Sequence, residues 1–264
     1  MLFAVELDRL GRDAGLRAFA LHPKGLCPIQ VSGRIRPMTD NRILLLGFDA
    51  VEGRMVIARN NPDDARHVVV LVPGVSADVH SMGTLTRRAE DLFRKLAAHH
   101  EDDTISVITW MDYVAPRSAR EARDAKYAAA GAPRLATMLA QMPVTAEVYG
   151  RYRAAARTTV IAHGYGGLVA GLAAKEHGLR TDALVLLGCP GSGVRSANEL
   201  GLDGRVYATP SDRDGDGTPL DVHGVRPDDP AFGAKVLRPG PLSNQGDPLV
   251  RYVPELRPIV LGRN

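Results

Sequence analysis

Cysteine is nearly absent: the 264-residue chain holds two, Cys27 and Cys189. They lie far apart, without a CxxC or a Cys/His ligand spacing, so neither a disulfide framework nor a structural zinc organises the fold, and a reducing cytoplasm is the expected setting. No apolar run approaches the roughly 18 residues that a membrane span requires. The first ten residues carry acids inside their apolar stretch and lack a basic start, a continuous apolar core and a small-residue cleavage site, so they do not read as an export signal. An excess of one charge is also missing. Lys plus Arg number 33 against 30 Asp plus Glu, a formal charge of +3, and the basic residues are scattered, which does not argue for nucleic acid. What is present is 45% hydrophobic and 24% charged residues, enough to bury a core and to exclude disorder, collagen and coiled coil. At about 150 residues per domain as a soft prior, the length suits one α/β domain.

Three short apolar, β-branched runs bounded by turn residues, His67 to Val72, Thr104 to Trp110 and Thr158 to Ala162, read as buried parallel strands. Ala183 to Leu187, Arg205 to Thr209 and Pro258 to Leu261 supply further strands. Between them, Leu85, Ala89, Leu92, Phe93 and Leu96 make one apolar face of a helix over Thr84 to His99. Leu135, Met138, Leu139 and Met142 start a second helix that Pro143 interrupts, and Gly167 to Lys175 has the small apolar composition of a helix packed tightly on a sheet. Upstream, Ile43 to Phe48 and Met55 to Ala58 form an antiparallel pair. Residues 1–42 are expected as an N-terminal arm, with a short amphipathic helix through Leu7, Leu10, Leu16 and Phe19, and a loop imposed by Pro23, Pro28 and Pro37. Strand and helix in repeated alternation imply an α/β fold, a mostly parallel sheet with helices on both faces, over 43–264. The stretch 118–157, Ala-rich with Arg117, Arg120, Arg123 and Lys126, is expected as a helical lid.

The informative run is Thr158-Thr-Val-Ile-Ala-His163-Gly164-Tyr165-Gly166-Gly167. A strand breaks at a tight turn of small residues and passes at once into a helix, the layout of the Gly-x-Ser-x-Gly nucleophile elbow. Where the attacking hydroxyl belongs stands Gly164, which has no side chain.

On these residues the chain resembles the actinobacterial α/β-hydrolase-like family long catalogued as a domain of unknown function, whose elbow usually reads Gly-His-Ser-Tyr-Gly-Ser. The resemblance runs from about Ile43 to Gly262. It includes Val70-Leu-Val-Pro-Gly-Val75, similar to the family's strand and oxyanion loop, Thr109-Trp-Met-Asp-Tyr-Val-Ala-Pro116, and Leu187-Gly-Cys-Pro-Gly-Ser-Gly193. It implies an α/β-hydrolase fold. A hydrolase of that fold needs a nucleophile, a base, an acid that orients the base, and amide donors for the oxyanion. Here the nucleophile is absent, and Pro241-Leu-Ser-Asn-Gln-Gly-Asp-Pro248, where family members carry the His, has none.

The remaining site residues carry open alternatives. Asp212, with Asp214 second, stands where the acid belongs, or is a turn residue. His223 lines the cleft or is structural, while His177 marks a solvated helix end. Tyr165 directs its hydroxyl into the cleft or packs its ring under the elbow. His80, Ser76 and Ser81, after the first core strand, are possible replacement groups, and the amides of Tyr165 and of Val75 or Ser76 are expected to face a common point. Cys189 is a substitute nucleophile or a buried, inert thiol. Asp212-Arg-Asp214-Gly-Asp216-Gly217 opens like a calcium loop, but position 223 is His where a Glu is wanted. Two functions therefore stay open, the first favoured and the second its alternative. One is non-covalent acid/base and oxyanion chemistry on a small carbonyl compound, such as cyclisation, elimination, isomerisation or water-activated hydrolysis. The other is a catalytically silent homologue that binds a ligand or protein partner. Neither calls for a cofactor, a membrane or a nucleic acid.

Overall fold

The computed structural model describes residues 2–6, 16–22, 25–31, 43–49, 51–78, 81–98, 105–150, 152, 154–211, 216–218, 222–240 and 248–263, the first three stretches by their backbone alone. In chain order the strands are β1 (Leu2–Glu6), β2 (Leu16–His22), β3 (Gly25–Val31), β4 (Ile43–Asp49), β5 (Arg54–Arg59), β6 (His67–Val72), β7 (Ile105–Met111), β8 (Arg157–His163), β9 (Ala183–Leu187), β10 (Val206–Ala208) and β11 (Lys235–Val236). The helices are α1 (Met82–Ala97), α2 (Lys126–Tyr149), α3 (Gly166–Leu172), α4 (Pro248–Arg251) and α5 (Val253–Leu261). The strands form one sheet in the order β11-β10-β9-β8-β6-β7-β5-β4-β1-β2-β3. From β11 to β7 every pairing is parallel; β5 and β4 then add antiparallel strands.

The central strands read as unbroken apolar runs because both of their faces are covered. Val68, Val70 and Val72 of β6 join Val160 and Ala162 of β8 in a core beneath α2 and α3. The alternate residues Val69 and Leu71 meet Leu92, Phe93 and Leu96 of α1, and Leu256 and Ile259 of α5, on the other side.

Three expectations are corrected. Pro258 to Leu261 is the last turn of α5 and not a strand; four apolar residues fit either period, and Val253, Leu256, Ile259 and Val260 bury one helical face. Helix α2 runs through both Pro133 and Pro143. Each proline costs about 3 kcal/mol in a helix interior, and burying Leu135, Met138 and Leu139 returns about 1.5–3 kcal/mol each. Within the stretch 118–157, α2 contributes Leu135, Met138 and Leu139 to the buried core. Finally, Leu16 and Phe19 lie in β2 and not in a helix, while Leu7, Leu10, Pro23 and Pro37 fall outside the described residues. The stretch expected as an arm carries three strands, of which β1 pairs with β4 through Val5↔Leu45 and Glu6↔Leu44. Pro28 is accommodated because β3 is an edge strand.

Candidate functional site

At the C-terminal ends of the parallel strands, two loops approach each other. Strand β8 ends at His163, Gly164 turns the chain with φ +52°, and α3 begins at Gly166. The turn is tied down on both sides: the Gly164 amide donates to Leu187 O of β9 (2.9 Å), and Gly167 N–H donates back to Gly164 O (3.0 Å). Beside it, β6 ends at Val72 and continues through Pro73, Gly74, Val75 and Ser76. Tyr113, after β7, fixes this second loop by donating its hydroxyl to Pro73 O at 2.6 Å. Burial pushes the Tyr113 phenol well above its ordinary range, and the nearby Asp216 adds to the effect.

The two loops aim amides at one atom. Val75 N–H (2.6 Å) and Tyr165 N–H (3.0 Å) both donate to Oδ2 of Asp216. The other carboxylate oxygen, Oδ1, accepts from the amide of Thr218 at 3.0 Å and from its hydroxyl at 2.5 Å. A carboxylate with charge-assisted bonds on both oxygens is well compensated for leaving water. Its fit depends on two glycines: a Cβ on Gly164 would stand 2.0 Å from the Asp216 carboxyl carbon, and one on Gly74 would stand 1.8 Å from Oδ2. At Gly164 the positive φ disfavours a side chain independently.

The residues singled out from sequence fall around this carboxylate in different ways. Val75 supplies one amide of the hole, whereas the amide of Ser76 donates to Pro116 O (2.8 Å) and its hydroxyl to Arg117 O (3.0 Å). Tyr165 supplies the other amide, but its buried ring sends the hydroxyl away, to Asp124 O at 2.5 Å; the same oxygen accepts from Ala128 N–H at 3.3 Å. Burial pushes this phenol up to about 12. His223 is buried with Nε2 2.6 Å from Ala122 O, a contact that requires Nε2 to carry the proton because the carbonyl only accepts. Its ring meets that of Tyr165 edge-on, 5.7 Å between centroids. Ser76, Tyr165 and His223 together stitch the stretch 116–124 onto the site loops. Ser81 closes the turn before α1 with Asp78. His177 ends the π-helical turn after α3. His80, Asp212 and Asp214 lie outside the described residues. Cys189 is buried with its thiol toward Gly191 O (3.2 Å), and burial pushes it up to about 12, far from a reactive thiolate.

Asp216 was visible in the sequence only as the third acid of the calcium-like run. Its carboxylate is taken by amides and Thr218, and among the described residues no group of three His, Cys, Asp or Glu side chains could hold a metal ion. Gly74 and Thr218 were not singled out at all. The usable signal was an Asp followed by Gly-Thr, which can close an Asx turn, in a chain with glycines at both places where loops converge.

A parallel sheet covered on both faces, with a strand–glycine–helix turn beside a two-amide hole at its C-terminal edge, defines an α/β-hydrolase fold. A model of the alpha/beta hydrolase family matches residues 49–215, more than half of the chain, and the chain belongs to that family. It is 34% identical over 187 residues to an uncharacterized protein of Mycobacterium tuberculosis, found in two strains; the match covers 67% of this chain and 28% of the relative. The chain thus spans under a third of the curated relatives' length. Among solved structures it is similar to TT1662 from Thermus thermophilus (TM-score 0.45, 12% identity, 85% of this chain and 98% of that one). A dienelactone hydrolase from Anabaena variabilis also resembles it (TM-score 0.37, 13% identity, 59% and 66% covered). Among the described residues no helix is long and apolar enough to cross a membrane.

Proposed function

We propose that this chain is a catalytically silent α/β-hydrolase homologue that binds a ligand or partner, with Gly164 standing at the nucleophile position and an oxyanion hole filled by its own Asp216. The observation that carries this reading is the carboxylate of Asp216 between the amides of Val75 and Tyr165, so close to Gly164 that a Cβ there would force the carboxylate to move. Acyl transfer needs a side-chain nucleophile and a base that can take its proton. Gly164 has no side chain to supply the first, and its positive φ and the adjoining Asp216 carboxylate both disfavour one; His223 turns Nε2 to Ala122 O.

Non-covalent acid/base chemistry on a small carbonyl compound is the competing reading. It requires the substrate oxygen to reach the same two amides, and Asp216 already holds them. Cytoplasmic placement fits the cysteine usage and remains part of this proposal.

The test is direct. The purified chain is treated with a fluorophosphonate probe and assayed against activated esters and small lactones. The expected result is labelling no stronger than in heat-denatured protein, and no turnover above buffer. Stoichiometric labelling, or lactone opening that disappears in Asp216→Asn, would overturn silence and establish an enzyme.

A further inference from the structure

The Asp216 carboxylate is a model of what its hole accepts. Oδ2 sits between amides of two separate loops, and the residue reaches them from 141 positions beyond Val75 and 51 beyond Tyr165. The carboxyl group lies where the Cβ atoms of Gly74 and Gly164 would otherwise be. That slot suits a planar carboxylate.

We propose that the hole is a latent site for a small free carboxylate, of which Asp216 is the resident ligand and gate. This deepens the reading of a silent hydrolase homologue and rests on it, because a side chain on residue 164 would fill the same slot. A tethered carboxylate competes at an effective concentration set by its loop, commonly millimolar or higher. An outside carboxylate therefore binds weakly to the native chain and well only when Asp216 is withdrawn. Two of the donors, the amides of Val75 and Tyr165, belong to the main chain of the site loops and stay when the Asp216 side chain is removed.

The experiment compares wild type with Asp216→Gly, which deletes the carboxylate and leaves a glycine-walled slot. Thermal unfolding of both is titrated with sodium formate, and with sodium chloride and sodium phosphate at matched ionic strength. The variant is expected to lose stability and to be restored selectively by formate. At formate about tenfold above its Kd, Tm should rise by about 3–5 °C over chloride, while wild type responds to the salts alike. An equal response of the variant to formate and chloride, or the same formate response in wild type, overturns the proposal. Should Asp216→Gly not fold in chloride, the comparison is read as folded yield after refolding in formate against chloride. A yield restored by formate supports the site and equal yields overturn it. Ester turnover by wild type would instead sink the silent reading, and that is a separate measurement with a separate readout.

Discussion

The two segments that meet at Asp216 are held by different means. The turn from β8 to α3 leaves a strand buried from Thr158 to Ala162 and enters a helix buried from Gly166 to Gly171, so the sheet and its helices fix where the Tyr165 amide points. The segment that carries Asp216 follows a strand of three residues, Val206–Ala208, and reaches the hole through a single side chain with Thr218 as its brace. The donors are therefore main-chain atoms that survive almost any side-chain substitution, while the occupant depends on one residue. The amides of the hole and the group that occupies it are thus encoded separately.

The strongest way to break this comparison is Gly164→Ser. The new Cβ would collide with the Asp216 carboxyl carbon at 2.0 Å and place a side chain at φ +52°. Expulsion of the carboxylate and the strained backbone together should cost about 3–5 kcal/mol, measured by urea unfolding. On the silent reading proposed above, no esterase should emerge. In Gly164→Ser/Asp216→Gly the collision is gone, and the double mutant should be more stable than the sum of the singles by about 1–3 kcal/mol. Additive costs would mean that Asp216 does not press on the turn.

A smaller effect is expected on the elbow's far side. Tyr165→Phe keeps the backbone donor of the hole and removes only the hydroxyl bridging Asp124 O and Ala128 N–H. Loss of these two bonds should cost about 1–3 kcal/mol. It should also raise amide exchange in 121–128 while the hole stays formed. Protection lost equally at Val75 would show that the elbow and the stretch above it are one unit.

How much of this could be read in advance follows the same division. Strands β6 and β9 have the limits that their apolar runs suggest, because strands covered on both faces leave an unbroken signal. The glycine turn after β8 is likewise written locally, in one strand and the next helix. Helix α2 was harder, since Pro133 and Pro143 break the local rule and only the buried face of Leu135, Met138 and Leu139 outweighs them. Pro258 misled for the opposite reason, an apolar run too short to show its period. The role of Asp216 was not legible because its partners are 51 and 141 residues distant, and no local pattern of acids and glycines says which carboxylate will cross to a given amide.

A second partly buried carboxylate sharpens the contrast by having far fewer donors. Asp63, before β6, accepts from the Thr145 hydroxyl at 2.7 Å, and burial raises its pKa, Thr145 opposing the shift only in part and Asp64 adding to it. A folded pKa above the unfolded one means that ionisation opposes folding. The native chain is favoured most below the unfolded pKa and loses that share as pH rises through the folded pKa. Asp63→Asn keeps an acceptor for Thr145 without the charge. It should stabilise the protein at neutral pH, by less than about 1 kcal/mol, with the gain fading as pH falls to the unfolded carboxyl range. The same substitution at Asp216 should destabilise, because an amide cannot match a carboxylate against three N–H or O–H donors from Val75, Tyr165 and Thr218 and the Thr218 amide besides. Opposite signs for the two Asp→Asn changes in parallel urea titrations would show that donor count, and not burial alone, decides whether a carboxylate holds this fold together.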